Sequence, residues 1–164
     1  MDNKKRFPTS NLKDGDPNNY LARAIRKEHK KTVRQKLKKE VWKWCSLYIR
    51  QRDSVNGEWG YCCTCGKIVQ IKYGDAGHFI GRGLGGSSGV YFDERNIHLQ
   101  CKTCNAFEQG AYTEYRKFML DKYGQEVIDE LELKHRTHNY TLMDLEGLLL
   151  YYKQEYESLK KASI

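Results

Sequence analysis

Proline is nearly absent, with two residues in 164, which leaves the chain tolerant of long helices. No apolar run approaches the roughly 20 residues of a membrane span, so a helical membrane protein is excluded. The opening stretch MDNKKRFPTS has no apolar core of the kind that export signals carry. A reducing cytoplasm is therefore the expected setting, with no membrane partner. Acidic residues are scarce in the first third: residues 1–52 hold 16 Lys/Arg against 5 Asp/Glu, a net of +11. Residues 53–164 hold 13 against 16, a net of −3. The overall charge of +8 thus belongs to the N-terminal third, where a phosphate backbone is a natural partner.

What is present is organised in blocks. Residues 1–19 read as a flexible polar arm. Residues 20–53 read as a basic helical segment in which Val33, Leu37, Val41, Trp44 and Tyr48 recur at helical spacing. Trp42, Cys45 and Ile49 widen the stripe, and Cys45 reads as a small core residue. Residues 54–110 hold the cysteines, two short strand-like runs (KIVQIKY and DAGHFIG) and the glycine-rich RGLGGSSG. Residues 111–164 read as helices: Ala111–Tyr123 closed by Gly124, Gln125–His135, and a last one from a capping-box-like Thr141/Asp144 to about Lys161. Leu142, Leu145, Leu148, Leu149, Tyr152, Tyr156 and Leu159 are its expected buried face. The fold class expected is α+β.

Six cysteines in a reducing setting are better read as ligands or core residues than as disulfides. Cys62-x2-Cys65 and Cys101-x2-Cys104 can each present two thiolates to one tetrahedral Zn²⁺. The run CCTC lets Cys62 or Cys63 pair with Cys65, and the two-residue spacing favours Cys62. Common zinc ribbons separate such pairs by about 15–20 residues, whereas 35 intervene here. The staple closes the base of something larger.

That insert contains the parts of a hydrolytic centre. His78 suits a general base, because the ordinary histidine pKa near 6.5 leaves it largely neutral in the cytoplasm. Asp75 and Asn105 are hard oxygen donors suited to Mg²⁺ or Mn²⁺. Singly, each has a plain structural reading: a packing histidine, or an asparagine capping a helix.

In order, Cys-x2-Cys, Gly-His and Asn-x4-Cys-x2-Cys-Asn resemble the HNH endonucleases of the ββα-metal class. The resemblance implies His78 as the base that activates water, Asn96 as the holder of the loop orienting it, and Asn105, at the start of a helix, as a metal ligand. Many such proteins carry a ligand directly before the histidine. Gly77 stands there in this chain, leaving Asp75 or His98 for that role.

The stretches DAGHF, FDERNIHLQCKTCN, YGQEVIDELE and HRTHNYT narrow the resemblance to the NinG (Rap) family of lambdoid phages, from about Val41 to Tyr156. It implies a zinc-stapled ββα core flanked by helices, one structural Zn²⁺, and a catalytic Mg²⁺ or Mn²⁺. The implied activity is endonucleolytic cleavage of D-loops and Holliday junctions during phage recombination. Paired cuts across a junction would suit a homodimer, working alongside phage or host recombination proteins. Some relatives carry a further N-terminal cysteine cluster, and this chain has no cysteine before Cys45. Arg82 and Arg95 beside the glycine loop, with Arg34 and Lys38 on the basic helix, are the expected DNA contacts. A non-enzymatic zinc module that binds junctions, and a site-specific homing or restriction-type nuclease, are the alternatives. His135 and His138 are expected to be solvent-facing or helix-capping.

Overall fold

The structure, a computed structural model, describes residues 17–81 and 88–162. The expected polar arm lies almost wholly outside the described residues, and so do Arg82 and most of the glycine run. Two units divide the chain, Met1–Leu37 and Lys38–Ile164. Among the described residues are three α-helices, α1 (Pro17–Arg52), α2 (Tyr112–Thr137) and α3 (Leu142–Ala162), and four short strands, β1 (Trp59–Tyr61), β2 (Ile68–Gln70), β3 (Asp75–His78) and β4 (Ile97–Gln100). The architecture is mixed α+β, as expected. Among the described residues no helix is long and apolar enough to cross a membrane.

In the first unit Ile25 and Val33 are exposed, so the helical stripe is not a buried face at that end. In the second unit Val41, Cys45, Tyr48 and Ile49 are buried. Burial pushes the Cys45 thiol up to about 12, as befits a core residue. The helix closes with Arg50 and Arg52 in its last turn, cations that suit the negative end of its dipole.

Each pair of strands is an antiparallel ribbon. β1 pairs with β2 through Trp59↔Gln70, Gly60↔Val69 and Tyr61↔Ile68. β3 pairs with β4 through Asp75↔Gln100, Ala76↔Leu99, Gly77↔His98 and His78↔Ile97. The sequence offers little signal for β1 or β4: a three-residue strand barely alternates, and every residue of β4 is buried. A clasp binds the end of α1 to β4. Arg52 donates to the carbonyls of Glu94 (3.1 Å) and Ile97 (2.8 Å) and pairs with Asp53. Asp53 Oδ2 in turn accepts the Leu99 amide at 2.8 Å.

Phe79, Val90, Tyr115, Met119, Ile128 and Leu131 form the core between the β3–β4 ribbon and α2. α2 is interrupted at Gly124, with φ 81° and ψ 172°, a conformation glycine takes without strain. α3 begins with a reciprocal capping box: the Asp144 amide donates to Thr141 Oγ1 (3.1 Å) and the Thr141 amide to Asp144 Oδ2 (2.7 Å). Leu145 and Tyr152 are its buried residues. Leu142, expected inside, is exposed because it sits in the first turn. Nor do the two C-terminal histidines face solvent alone: His135 Nδ1 bonds Ser88 Oγ at 2.7 Å, and His138 packs edge-on to Tyr140.

Candidate functional site

The ligand atoms of Cys62, Cys65, Cys101 and Cys104 lie within 4.8 Å of one another. Tetrahedral zinc at a Zn–S distance of about 2.3 Å needs sulfurs roughly 3.8 Å apart, and Cys65 and Cys101 Sγ are separated by 3.8 Å. Both pairs sit in tight turns. Gly66, at φ +70°, returns its amide to the Cys62 carbonyl at 2.9 Å. On the other knuckle, the Cys104 amide points at Cys101 Sγ at 3.5 Å. At Cys62, burial raises the thiol, but backbone amides of Cys101, Cys65 and Thr64 outweigh it and bring the value down to about 7. Cys104 is pushed far up by burial and by the neighbouring sulfurs, the cost of crowding thiolates without a cation. The four cysteines could hold one zinc ion. Cys63 is turned away: its amide bonds the Leu99 carbonyl (2.9 Å), and its side chain packs on the α2 core.

β4 runs from Asn96 into Cys101, so the staple fixes β4 and its partner β3. Asn96 is fully buried and ties both ends of the segment from Ile80 to Val90. Its Oδ1 accepts the Ile80 amide (2.8 Å), and Nδ2 donates to the carbonyls of Ile80 (3.2 Å) and Val90 (3.0 Å).

Asn105 lies inside a single π turn, Thr103–Phe107, which directly follows the knuckle and precedes α2. From that turn Nδ2 donates to Asp75 Oδ2 at 2.9 Å, and Lys102 Nζ pairs with Asp75 Oδ1. Lys102 thus sets a positive charge on the carboxylate, at the end of a side chain 60% exposed that can swing aside. A depression of about 330 Å³ opens here, lined by Asp75, Asn105, Lys102, Lys72, Arg50 and Trp42. Lys102 pairs with the carboxylate, while Lys72 and Arg50, the latter donating to the Ser46 (3.0 Å) and Ile71 (2.9 Å) carbonyls, line the same depression.

His78 is held on the same ribbon. Strand alternation assigns it to the opposite face from Asp75, and Trp42 spans the two. Its ring lines the depression and stacks on His78 with centroids 4.8 Å apart and planes 22° from parallel. Tyr91 stacks on His78 at 4.8 Å as well. His78 Nε2 is 3.0 Å from the Tyr91 carbonyl oxygen. A carbonyl only accepts, so Nε2 carries the proton. The sequence marks Trp42 only as an apolar residue on the helical stripe. Its stacking on a histidine 36 positions later has no local signature.

His98 points to the α2 side. It is 1% exposed, and its two ring nitrogens meet Tyr115 OH (3.1 Å) and Tyr123 OH (3.0 Å). Burial, then Arg52 and Lys122, lower its pKa to about 2, so the ring is neutral in the fold. An unfolded chain takes up that proton near pH 6.5. The stabilisation is therefore complete above about pH 6.5 and is lost as pH falls, by about 1.4 kcal/mol per pH unit. Urea unfolding between pH 7 and pH 5 should show this slope in the wild type and a shallower one in His98→Gln. Equal slopes would exclude His98 as the cause.

Gly77 has a steric reason for being glycine. A Cβ there would come 1.8 Å from Gln100 Oε1 and 2.6 Å from Gln100 Cδ. Gln100 is held by Thr64 Oγ1 (2.6 Å) and the Gly110 carbonyl (3.0 Å), and cannot retreat without breaking both bonds. Gly77→Ala should destabilise the fold by about 1–3 kcal/mol, read as a lower thermal midpoint. An unchanged midpoint would mean Gln100 repacks freely.

Arg95 is engaged in structural ion pairs with Asp93 (3.2 Å) and Glu130 (2.8 Å), and Lys134 also pairs with Asp93 (2.8 Å). A phosphate would have to compete for that guanidinium. Arg34 and Lys38 are on α1, on either side of the boundary between the two units.

These features define a mixed α+β protein with a four-cysteine site able to take zinc beside a cationic depression. The chain belongs to the NinG family: the model described as Bacteriophage Lambda NinG protein matches residues 4–162. It is 32% identical over 124 residues to Protein ninG of Escherichia phage 933W, covering 76% of this chain and 58% of that protein. The corresponding proteins of Escherichia phage lambda and Salmonella phage P22 are 31% and 30% identical, over 76% and 74% of this chain and 57% of each relative. The chain thus spans less than three-fifths of the length of these curated relatives. No solved structure matches it.

Proposed function

We propose that this chain is a metal-dependent endonuclease of the HNH type that hydrolyses phosphodiester bonds in branched DNA. The observation that carries the reading is the joining of Asp75 to Asn105, through a 2.9 Å hydrogen bond, inside a depression whose lining includes Arg50, Lys72 and Lys102. Asp75 and Asn105 would hold the divalent cation, and the Lys102 ammonium is its stand-in. His98, with both nitrogens taken up by tyrosines, is left out of the ligand set. Bound there, Mg²⁺ or Mn²⁺ supplies positive charge against the negative charge that develops on the phosphate.

The protein's own groups do the rest. His78, with Nε2–H turned to the Tyr91 carbonyl and its ring packed on Trp42 and Tyr91, would take a proton from water. The water oxygen bonds to phosphorus, the bond to the leaving nucleotide oxygen breaks, and that oxygen takes a proton from solvent. Arg50, Lys72 and Lys102 bind and orient the phosphodiester. Asn96 keeps the segment after His78 in place.

The test is incubation of the zinc-loaded protein with a synthetic four-way junction and a linear duplex of the same sequence, with and without Mg²⁺. Nicking of the junction that requires Mg²⁺ and exceeds nicking of the duplex is expected. Binding without cutting at any divalent metal would favour the non-enzymatic junction binder. Equal cutting of both substrates would favour a nuclease without branch preference.

A further inference from the structure

We infer that the outer face of the β1–β2 ribbon is a stacking platform for unpaired bases, one cavity away from the depression that holds Asp75 and Asn105. The inference rests on the nuclease reading for its biological setting but on separate residues for its argument. In the ribbon register Trp59 stands opposite Gln70 and Tyr61 opposite Ile68. Gly60 and Val69 are buried while Trp59, Tyr61 and Ile68 are exposed, at 42%, 57% and 64%. One side of the ribbon therefore packs inward, and the other presents two aromatic rings and an isoleucine to solvent. Such a face is costly to leave uncovered. It is also stiff, because the strand pairing fixes one end and the Cys62 knuckle directly follows β1.

Charge and continuity select nucleic acid as the occupant. Between Asp53 and Asp75 the sequence holds a single acid, Glu58, against Lys67 and Lys72. Lys72 is exposed, with its ammonium 4.8 Å from the centroid of the Tyr73 ring. That residue and Arg50 line the depression holding Asp75 and Asn105. The same two cations line a neighbouring cavity of about 460 Å³, which also borders Glu58 and Gln70. Glu58 immediately precedes Trp59, and Gln70 is Trp59's partner across the ribbon. A strand whose phosphates follow Arg50 and Lys72 past Gln70 would bring its bases first to Trp59 and then, two residues along the ribbon, to Tyr61, which borders a separate cavity with Arg52 and Lys122. Cations that track a backbone beside aromatic faces that take any base are the means by which proteins hold single strands without sequence preference. Paired bases in a duplex cannot reach these faces, so the platform would favour DNA with an unpaired strand at a branch.

The test is fluorescence anisotropy of the full chain, zinc-loaded and without Mg²⁺, on a labelled oligothymidine of about 15 nucleotides and on a blunt duplex of that length. Trp59→Ala/Tyr61→Ala is expected to weaken oligothymidine binding by about ten- to a hundredfold, with duplex affinity changed less than about threefold. Trp59→Phe/Tyr61→Phe, which keeps the aromatic faces, should bind nearly as the wild type. Unchanged oligothymidine affinity in the alanine variant would overturn the platform, leaving a protein partner for this face. An equal loss on both DNAs that the phenylalanine variant does not recover would also overturn it. Because nothing is cut in this assay, a protein that lacks nuclease activity but shows the selective loss would sink the nuclease reading alone.

Discussion

Replacing Cys104 with alanine is expected to abolish zinc binding and, with it, the cooperative unfolding transition of the second unit. Wild-type protein should carry one zinc per chain by elemental analysis, and the variant well under a tenth of that. The size of the effect follows from where Cys104 sits. It is buried in the π turn that follows β4, beside Asn105 and across from the Cys62 knuckle. The small cluster around it contains Cys62, Val69 and Cys104 and little else apolar. Without a cation, four sulfurs this close repel one another once ionised, and burial resists their ionisation. A structural zinc contributes about 10–16 kcal/mol of apparent binding energy at neutral pH. That matches or exceeds the whole stability of an ordinary domain, about 5–15 kcal/mol. Cys63→Ala is the internal contrast, because its side chain packs on the α2 core and faces away from the sulfur cluster. It should keep a full complement of zinc and lose no more than about 2 kcal/mol of stability. Zinc retained by Cys104→Ala, or lost by Cys63→Ala, would show that the four-cysteine site is misassigned.

The second large effect is expected at His78. Removal of a positioned general base costs about 10²–10⁴ in rate, and His78→Ala should slow junction cleavage within that range while leaving junction affinity unchanged. Its ring packs against both Trp42 and Tyr91, which also touch each other with centroids 5.2 Å apart, and Nε2 is turned to a backbone carbonyl. Removing the ring leaves a gap of imidazole size beside those two aromatics. His78→Gly with added free imidazole should recover a measurable part of the lost rate, whereas a histidine that merely packs would give no rescue. Trp42→Leu is expected to act in the same direction and more weakly, because it removes one of the two rings on which His78 stacks.

How far the sequence revealed this arrangement depends on the range of each signal. Cysteine pairs are local and chemically unambiguous, so the four zinc-competent thiols, and Cys62 in preference to Cys63, were readable from spacing alone. The breaks at Gly124 and Thr141 were readable for the same reason. Lys102 on Asp75 was not, since it joins positions 27 apart on a ribbon whose second strand has no alternation to betray it. Equally hidden were the Arg52–Asp53 clasp on β4 and the two tyrosine hydroxyls that enclose His98. Each is a polar group satisfied by a distant element, and local pattern carries no record of it. Gly77 is instructive in another way. As sequence it looked like a missing metal ligand; in the fold it is the space that Gln100 fills.

The most direct measurement is single-turnover cleavage of a labelled four-way junction in Mg²⁺ by wild type, His78→Ala and Asn105→Ala, with anisotropy on the same junction. All three proteins should bind within about threefold of one another, and only the wild type should cut at an appreciable rate. If both variants cut as fast as the wild type, the proposed centre of Asp75, His78 and Asn105 is not where phosphodiester bonds are broken.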